Sequence, residues 1–579
     1  MRAAASGAMP ARERASATRA RRRPAGTASS PGAWWCRLRF ASANLAVATA
    51  EAGAATRPSM GPRGRIRNAV AAALLSLLPA GACLHRPTPN PNVIVVGVTS
   101  GPNNLDPRIG TDDVSGKAGQ LIFSNLMTLD EHLRIVPELA DRLDHPDPTT
   151  YVATLRRGVR FHDGHELTSA DVVYTFRCFL DPAFVSPRKG AYRVLARVDA
   201  RDRDTVVFTL KEPFGSFPVN LVMPIVPDGA GPSLREHPVG TGPYRFVRYA
   251  VDDLIELAPF AEYFGGRPRN DGLILRIVPD DIIRGLELRK GTVDIVVNDL
   301  APDIVYQLQQ DRRLQVVASP GTDYQYVGLN LRDPILKDLR VRQAIGYAID
   351  RQALVTYLRR GLATPAVGIL PPMSWAFEPD VFRFTHDLTQ ARALLDAAGY
   401  PDPDGDGPLP RLQLTLKVSN LEFNRLQSTV IQENLRDVGV ALDVRTYEFA
   451  TLYADVLKGS FQMFTLQWVG GAVADPDILR RVFDSRQTPP FGFNRGFFHD
   501  ARVDRLLDEA TAATGDEARR RAYAAVQQVV AQEAPYISLW YKTNAAVAQR
   551  SLAGIHLLPT ADFIFLKDVS RTNEPGHAP

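Results

Sequence analysis

The chain has 579 residues, 45% of them hydrophobic, with a formal net charge of +5 and three cysteines. Its first 83 residues hold 13 Arg, Glu13, Glu51 and no Lys, a charge of +11; the remainder therefore carries −6, which removes the support for a nucleic-acid partner. Cys36, Cys83 and Cys178 form no disulfide framework, so stability rests on core burial, and about 490 residues after the leader are too many for one domain.

Residues 1–59 are rich in Ala, Arg, Ser, Gly and Pro without a sustained apolar period, and read as no part of the mature protein. From Met60 the logic changes. Arg63, Arg65 and Arg67 precede the apolar run Ala69 to Leu78, and Ala80-Gly81-Ala82-Cys83 follows, which predicts a signal peptide over 60–82. The apolar run is roughly 10 residues, short of the roughly 20 that a membrane span needs. Small residues directly before Cys83 predict a lipoprotein-type signal, with Cys83 acylated and the protein held at a membrane. Ordinary cleavage after Ala82 is the alternative. Residues 83–92 form a Pro-rich tether.

Val93 to Val98 reads as a buried first strand. In Phe161-His162-Asp163-Gly164-His165-Glu166-Leu167-Thr168-Ser169-Ala170-Asp171 a strand leads through an Asp-Gly turn into a helix. Gly164 tolerates positive φ there, and Thr168 with Asp171 forms a variant capping box. Further on, a helix through Ala391 to Ala398 is closed by Gly399. Leu412 to Val418 alternates as a strand, Glu422 to Val438 is helical with Gly439 as its stop, and Val440 to Thr446 returns as a strand. That unit predicts α/β layers with a largely parallel sheet.

Several blocks together resemble the bacterial extracellular solute-binding proteins of family 5, the oligopeptide-, dipeptide- and nickel-binding receptors of ATP-binding-cassette importers. They are the Phe161 to Asp171 block, His237-Pro238-Val239-Gly240-Thr241-Gly242-Pro243-Tyr244, Gly291 to Ile295, Tyr326-Val327-Gly328-Leu329-Asn330, Val341 to Ile345 with Ala348 to Arg351, Leu394 to Tyr400, Ala474 to Asp477, and Ala534-Pro535. Their number and order carry the resemblance across residues 93–570. It implies a two-lobed periplasmic-binding-protein fold, type II with an extra inserted subdomain, closing by a hinge on a central cleft. The implied boundaries are 93–135, 236–328 and 536–570 for a discontinuous first lobe, 136–235 for the inserted subdomain, and 329–535 for the second lobe.

The resemblance also implies where ligand sits. The loop at Trp468, with Gly470 and Gly471, lines the cleft in peptide-binding members, its backbone pairs with the ligand, and Trp468 is a candidate pocket wall. Those members carry an Asp three residues after the Trp to receive the ligand's α-amino group; here that position is Gly471, with Asp475 or Asp477 as substitutes. Tyr324, Tyr326 and Trp375 are candidate cleft aromatics, and Asn494 a candidate loop contact. His162 and His165 flank a turn rather than one helix face, so they read as scaffold and not as metal ligands.

The implied activity is extracytoplasmic capture of a small solute, most simply a peptide, for a transmembrane permease. It needs no cofactor, no metal and no covalent chemistry, and the receptor is expected to act as a monomer. Metal chelates, oligosaccharides and opine-like compounds are alternative ligands. A secreted peptide or glycan hydrolase is the rival from another class, and a binder without a permease a third.

Overall fold

The computed structural model describes residues 92–405, 407–470, 474–490, 492–513 and 515–572. The leader, the signal segment and Cys83 lie outside the described residues, as does Gly471.

One eleven-stranded sheet organises the chain. Its strands in chain order are β1 (Ile94–Val98), β2 (Tyr244–Ala250), β3 (Leu254–Pro259), β4 (Leu273–Ile277), β5 (Ile295–Val297), β6 (Leu314–Leu329), β7 (Ala363–Pro365), β8 (Leu412–Ser419), β9 (Val440–Tyr447), β10 (Met463–Trp468) and β11 (Tyr536–Gln549). Across the sheet the order is β9-β8-β10-β6-β11-β5-β1-β4-β3-β2, with β7 pairing the β11 edge. The strand–helix–strand unit predicted from periodicity is present: β8 and β9 run parallel in register from Leu412↔Val440 to Ser419↔Tyr447, joined by the helix Glu422–Arg436. Gly399 and Gly439 take φ of +93° and +80° after the helices they close.

The expectation of a largely parallel sheet is corrected. Parallel pairing is confined to β1 with β4 and β5, and to β8 with β9 and β10. The strands at the centre are antiparallel because β6 carries the chain out of one half of the molecule and β11 brings it back. The first part of β6 and the last part of β11 ladder together, Leu314↔Gln549 to Pro320↔Thr543, beside β5. After a register shift between Pro320 and Tyr324 the rest of β6 pairs with Tyr536 to Tyr541 of β11 and, on its other edge, with β10. Two strands therefore belong to both halves, and a bulge marks where they cross.

Separate cores follow from this division. One packs β1, β3, β4 and β5 against Val114, Leu121, Phe563 and Leu566. On the other half, apolar side chains collect on both faces of the sheet, around Ile345, Ile431 and Leu442 on one and around Tyr326, Phe464 and Val526 on the other. A small antiparallel sheet (Ala140–Asp147, Thr150–Leu155, Leu195–Asp202, Thr205–Leu210) with the helix Ser169–Leu180 has its own core of Phe161, Phe176, Phe208 and Phe217.

The opening motif sits in that unit. The Asp171 carboxylate accepts from the Thr168 N–H at 2.8 Å and its hydroxyl at 3.0 Å, as the capping pattern requires. His162 is tied to the second family block: its N–H donates to Gly240 O and its Nε2 lies 3.0 Å from Gly242 O. A Cβ at Gly240 or Gly242 would fall on the backbone of Ile122, so the V-G-T-G turn is glycine-rich because it lies on a helix end.

Candidate hinge cleft

β6 and β11 each carry a single charged side chain, Asp323 and Lys542. The two stand at the crossover, with Lys542 Nζ 3.9 Å from Asp323 Oδ2. Asp323 also holds the loop that follows Trp468: its Oδ1 accepts the Gly470 N–H at 2.8 Å and its Oδ2 the Gln467 side-chain amide at 2.7 Å. Gly321 completes the bulge, where a Cβ would meet the Lys542 carbonyl and the Asn544 side chain. One carboxylate thus links the hinge to the predicted ligand loop. Sequence reading passed over Asp323 and Lys542, although each is the lone charge of a long apolar strand.

The predicted residues fall into layers. Gly470, at φ +45° and half-buried, has open space where a Cβ would be, while its N–H is held by Asp323. Trp468 is 8% exposed and is paired across the ladder with Tyr324. Its ring meets Phe493 edge-on at 5.4 Å, and the Arg495 guanidinium lies 4.8 Å from its centroid. Tyr324 and Tyr326 are stacked and fully buried. The Tyr324 hydroxyl bonds Ser538 Oγ at 2.7 Å, and the Tyr326 hydroxyl accepts from Arg495 at 3.2 Å. Burial pushes both phenols up from their ordinary range. Trp375 is half-buried, 6.4 Å from Tyr523 and under the Arg519 guanidinium.

Asn494 spends its amide within its own loop. Nδ2 donates to Asp484 O and Phe498 O, and Oδ1 accepts the Phe498 N–H, at 1% exposure. Its amide is spent on the turn and not offered to a ligand, which corrects the expectation of a loop contact. Asp477 is likewise engaged, its two oxygens bidentate on Arg480 at 2.8 and 2.7 Å. That bidentate pair removes it as a receiver for a ligand ammonium.

Further contacts join the halves of the molecule beyond the shared strands. Arg360 Nε meets Asp303 Oδ1 at 2.6 Å on the hinge side. At another contact, the segment Phe214-Gly215-Ser216 of the small sheet's unit lies against the helices Ala501–Ala512 and Asp516–Glu533. Arg519 Nη2 donates to Ser216 Oγ at 2.8 Å, and Arg480 lies 5.7 Å from the Phe214 ring. Gly215 passes so close to Thr511 O and Ala513 O that a side chain there would touch both. Asp475 is held at this contact, its carboxyl pushed up to about 6 by burial and by Asp477, with Arg519 and Ser216 opposing. Among the described residues no cluster of three or more His, Cys, Asp or Glu is arranged to hold a metal.

The model of the family described as bacterial extracellular solute-binding proteins, family 5 Middle, matches residues 134–489. The chain belongs to that family. Among the relatives of this family 5 member is the glutathione-binding protein GsiB of Escherichia coli (strain K12), 29% identical over 491 residues, which cover 82% of this chain and 93% of the relative. Among the solved structures that share its fold are two with bound ligands. The oligopeptide-binding protein AppA from Bacillus subtilis, in complex with a nonapeptide, superposes with a TM-score of 0.68 at 26% identity, covering 83% of this chain and 99% of that one. NikZ from Campylobacter jejuni, in complex with Ni(L-His), gives 0.70 at 25%, covering 83% and 100%. The fold is the two-lobed type II arrangement of these proteins, and family 5 members are extracytoplasmic solute-binding components of importers.

Proposed function

We propose that this chain captures a small peptide or peptide-like solute between its lobes and presents it to the permease of an ATP-binding-cassette importer. The hinge carries the reading: two long strands shared by both halves, bulged where they cross, with Asp323 tying the bulge to the loop after Trp468. A change in lobe angle is thereby transmitted to that loop's backbone, the element offered to an extended ligand. The ligands named for the three relatives, glutathione, a nonapeptide and a histidine complex of nickel, are all amino-acid derivatives, which supports the peptide class.

In this proposal the lobes keep the boundaries 93–135, 236–328 and 536–570 against 329–535, with 136–235 inserted. Gly470 and Gly471 contribute backbone, Trp375 a wall, and Trp468, Tyr324 and Tyr326 the rigid layer beneath. No step of covalent chemistry is required, because selectivity is differential affinity of the closed state. Cys83 carries the lipid anchor after removal of 60–82, and the receptor acts as a monomer on the outer side of the membrane.

Native mass spectrometry of the protein purified from its own envelope, together with thermal shift against a panel of short peptides and glutathione, tests the ligand class. A bound peptide mass, or stabilisation that grows with peptide concentration, is expected. An empty protein that no peptide stabilises would refute it. For the anchor, Cys83→Ala is expected to release the protein from the membrane fraction and abolish labelling by a fatty-acid probe.

A further inference from the structure

β5 and β7 meet the same edge of β11 at separate places, Ala546 to Ala548 and Trp540 to Lys542. Between them lies a cavity of about 20 Å³, room for about one water-sized group. Val296, Asn298 and Val305 wall it from one side of the hinge and Leu362 from the other, and Arg359 and Lys542 are among the residues that line it.

Both cations have donors left over. Arg359 is 9% exposed and its Nε is buried without a hydrogen-bond partner; among the described residues its side chain donates to the Leu362 carbonyl at 3.2 Å and its guanidinium lies 5.2 Å from the Phe423 ring centroid. The Lys542 ammonium makes no hydrogen bond among the described residues; its nearest carboxylate is Asp323 at 3.9 Å. Asp323 is also the carboxylate that acts on Arg359, and its oxygens already serve Gly470 and Gln467. The remaining charges around Lys542 are Asp299 and Lys117, which pair with each other at 3.2 Å. Lys117 is also paired with Asp113 at 2.6 Å, so the neighbourhood holds three cations against three carboxylates, of which Asp323 is the one that Arg359 and Lys542 share. Burial pushes the Arg359 guanidinium down to about 10 and lowers the Lys542 ammonium, as desolvation without a close counter-charge does.

We propose that Arg359 and Lys542 form an anion subsite at the hinge that takes one carboxylate of the captured solute. The proposal rests on the solute-binding function above and specifies its substrate class: peptides or peptide-like molecules with a free acid group. A carboxylate supplies two acceptor oxygens for a guanidinium edge and an ammonium, and a second negative charge for two cations that otherwise share Asp323. It also complements position 471, where a glycine replaces the carboxylate that would favour an ammonium end. Selection then falls on the acidic end of the solute.

The test is isothermal titration of the mature protein with Ala-Ala-Ala as free acid and as C-terminal amide, with glutathione as a third probe. Parent, Lys542→Met and Lys542→Arg are compared. Lys542→Met is expected to weaken the acids about tenfold to a hundredfold, the loss of one charge-assisted hydrogen bond, while leaving the amide unchanged. Lys542→Arg is expected to retain most of the acid affinity. In parallel, acetate alone at constant ionic strength is expected to raise the melting temperature of the parent and not of Lys542→Met. Equal binding of acid and amide by the parent, or an equal loss for both in Lys542→Met, overturns the subsite. If no peptide binds, the peptide function fails and the acetate arm alone decides: an equal response of parent and Lys542→Met refutes the subsite, and a response confined to the parent upholds it.

Discussion

Removing one hydroxyl, in Ser216→Ala, isolates the energy of the contact between the small sheet's unit and the C-terminal helices. Ser216 Oγ accepts from Arg519 at 2.8 Å and supports the Asp475 carboxylate, and Ser216 is 4% exposed. A hydrogen bond to a charged group is worth about 1.5–3 kcal/mol, and a buried guanidinium left unmatched costs a similar amount. When the lobes part, water replaces the serine, so this energy bears on the closed state and not on the stability of either half. The Arg519 contacts with Trp375 and Tyr523 are unaffected, because both rings lie on the same side as Arg519. About 1.5–3 kcal/mol corresponds to a closed population reduced roughly tenfold to a hundredfold, and where closure is needed for tight binding the solute affinity falls by as much. Calorimetric titration of the bound solute, with small-angle scattering of free and liganded protein, reads both quantities. Arg519→Met is expected to give a comparable loss, and the double variant little more than either alone. Unchanged affinity and scattering in Ser216→Ala, or strictly additive losses in the double variant, would refute this account of closure.

Other outcomes follow from the same structure. Gly240→Ala places a methyl on the Ile122 carbonyl and is expected to destabilise the fold by about 3 kcal/mol or more, read by denaturant unfolding; a change under 1 kcal/mol would contradict the close approach. Asp475, with its carboxyl raised from 3.8 to about 6, binds its proton more tightly when folded, so it costs stability as pH rises from about 4 to 6 and the full penalty holds above that. Asp475→Asn is therefore expected to gain on the parent across that window, by about 2–3 kcal/mol at pH 8 against pH 3, and a pH-independent difference in melting temperature counts against the burial. His162 moves the other way, its imidazole pushed down to about 4 by burial with Gly242 O opposing. It costs stability as pH falls from about 6.5 to 4, so His162→Gln is expected to lose less than the parent on acidification in that window.

How much was legible depended on the range of the interaction. The caps, stops and ladder of the Leu412 to Tyr447 unit are local: an Asp three residues after Thr168, a Gly after a helix, alternation over eight residues. The aromatic layer was legible by type and not by depth. Tyr324 and Tyr326 share a strand face, but whether that face meets the cleft or the core depends on the helix Asp516–Glu533 packed over it, about 200 residues later. Asn494 reads from sequence as a loop amide; the folded loop turns its carbonyls inward and consumes it.

By itself the sequence determined the family, the alternation of strands and helices, the acidic balance behind a basic leader, and the glycine at position 471. Those features need only neighbours within a few residues, or a count. Tertiary structure alone decided that two lone charges on two long strands face each other at the hinge, that Arg359 and Lys542 share a cavity short of acceptors, and that Ser216 meets Arg519 across 303 positions. Charges act through space with no periodic trace along the chain, so their partners are fixed only once the sheet brings β6 and β11 side by side.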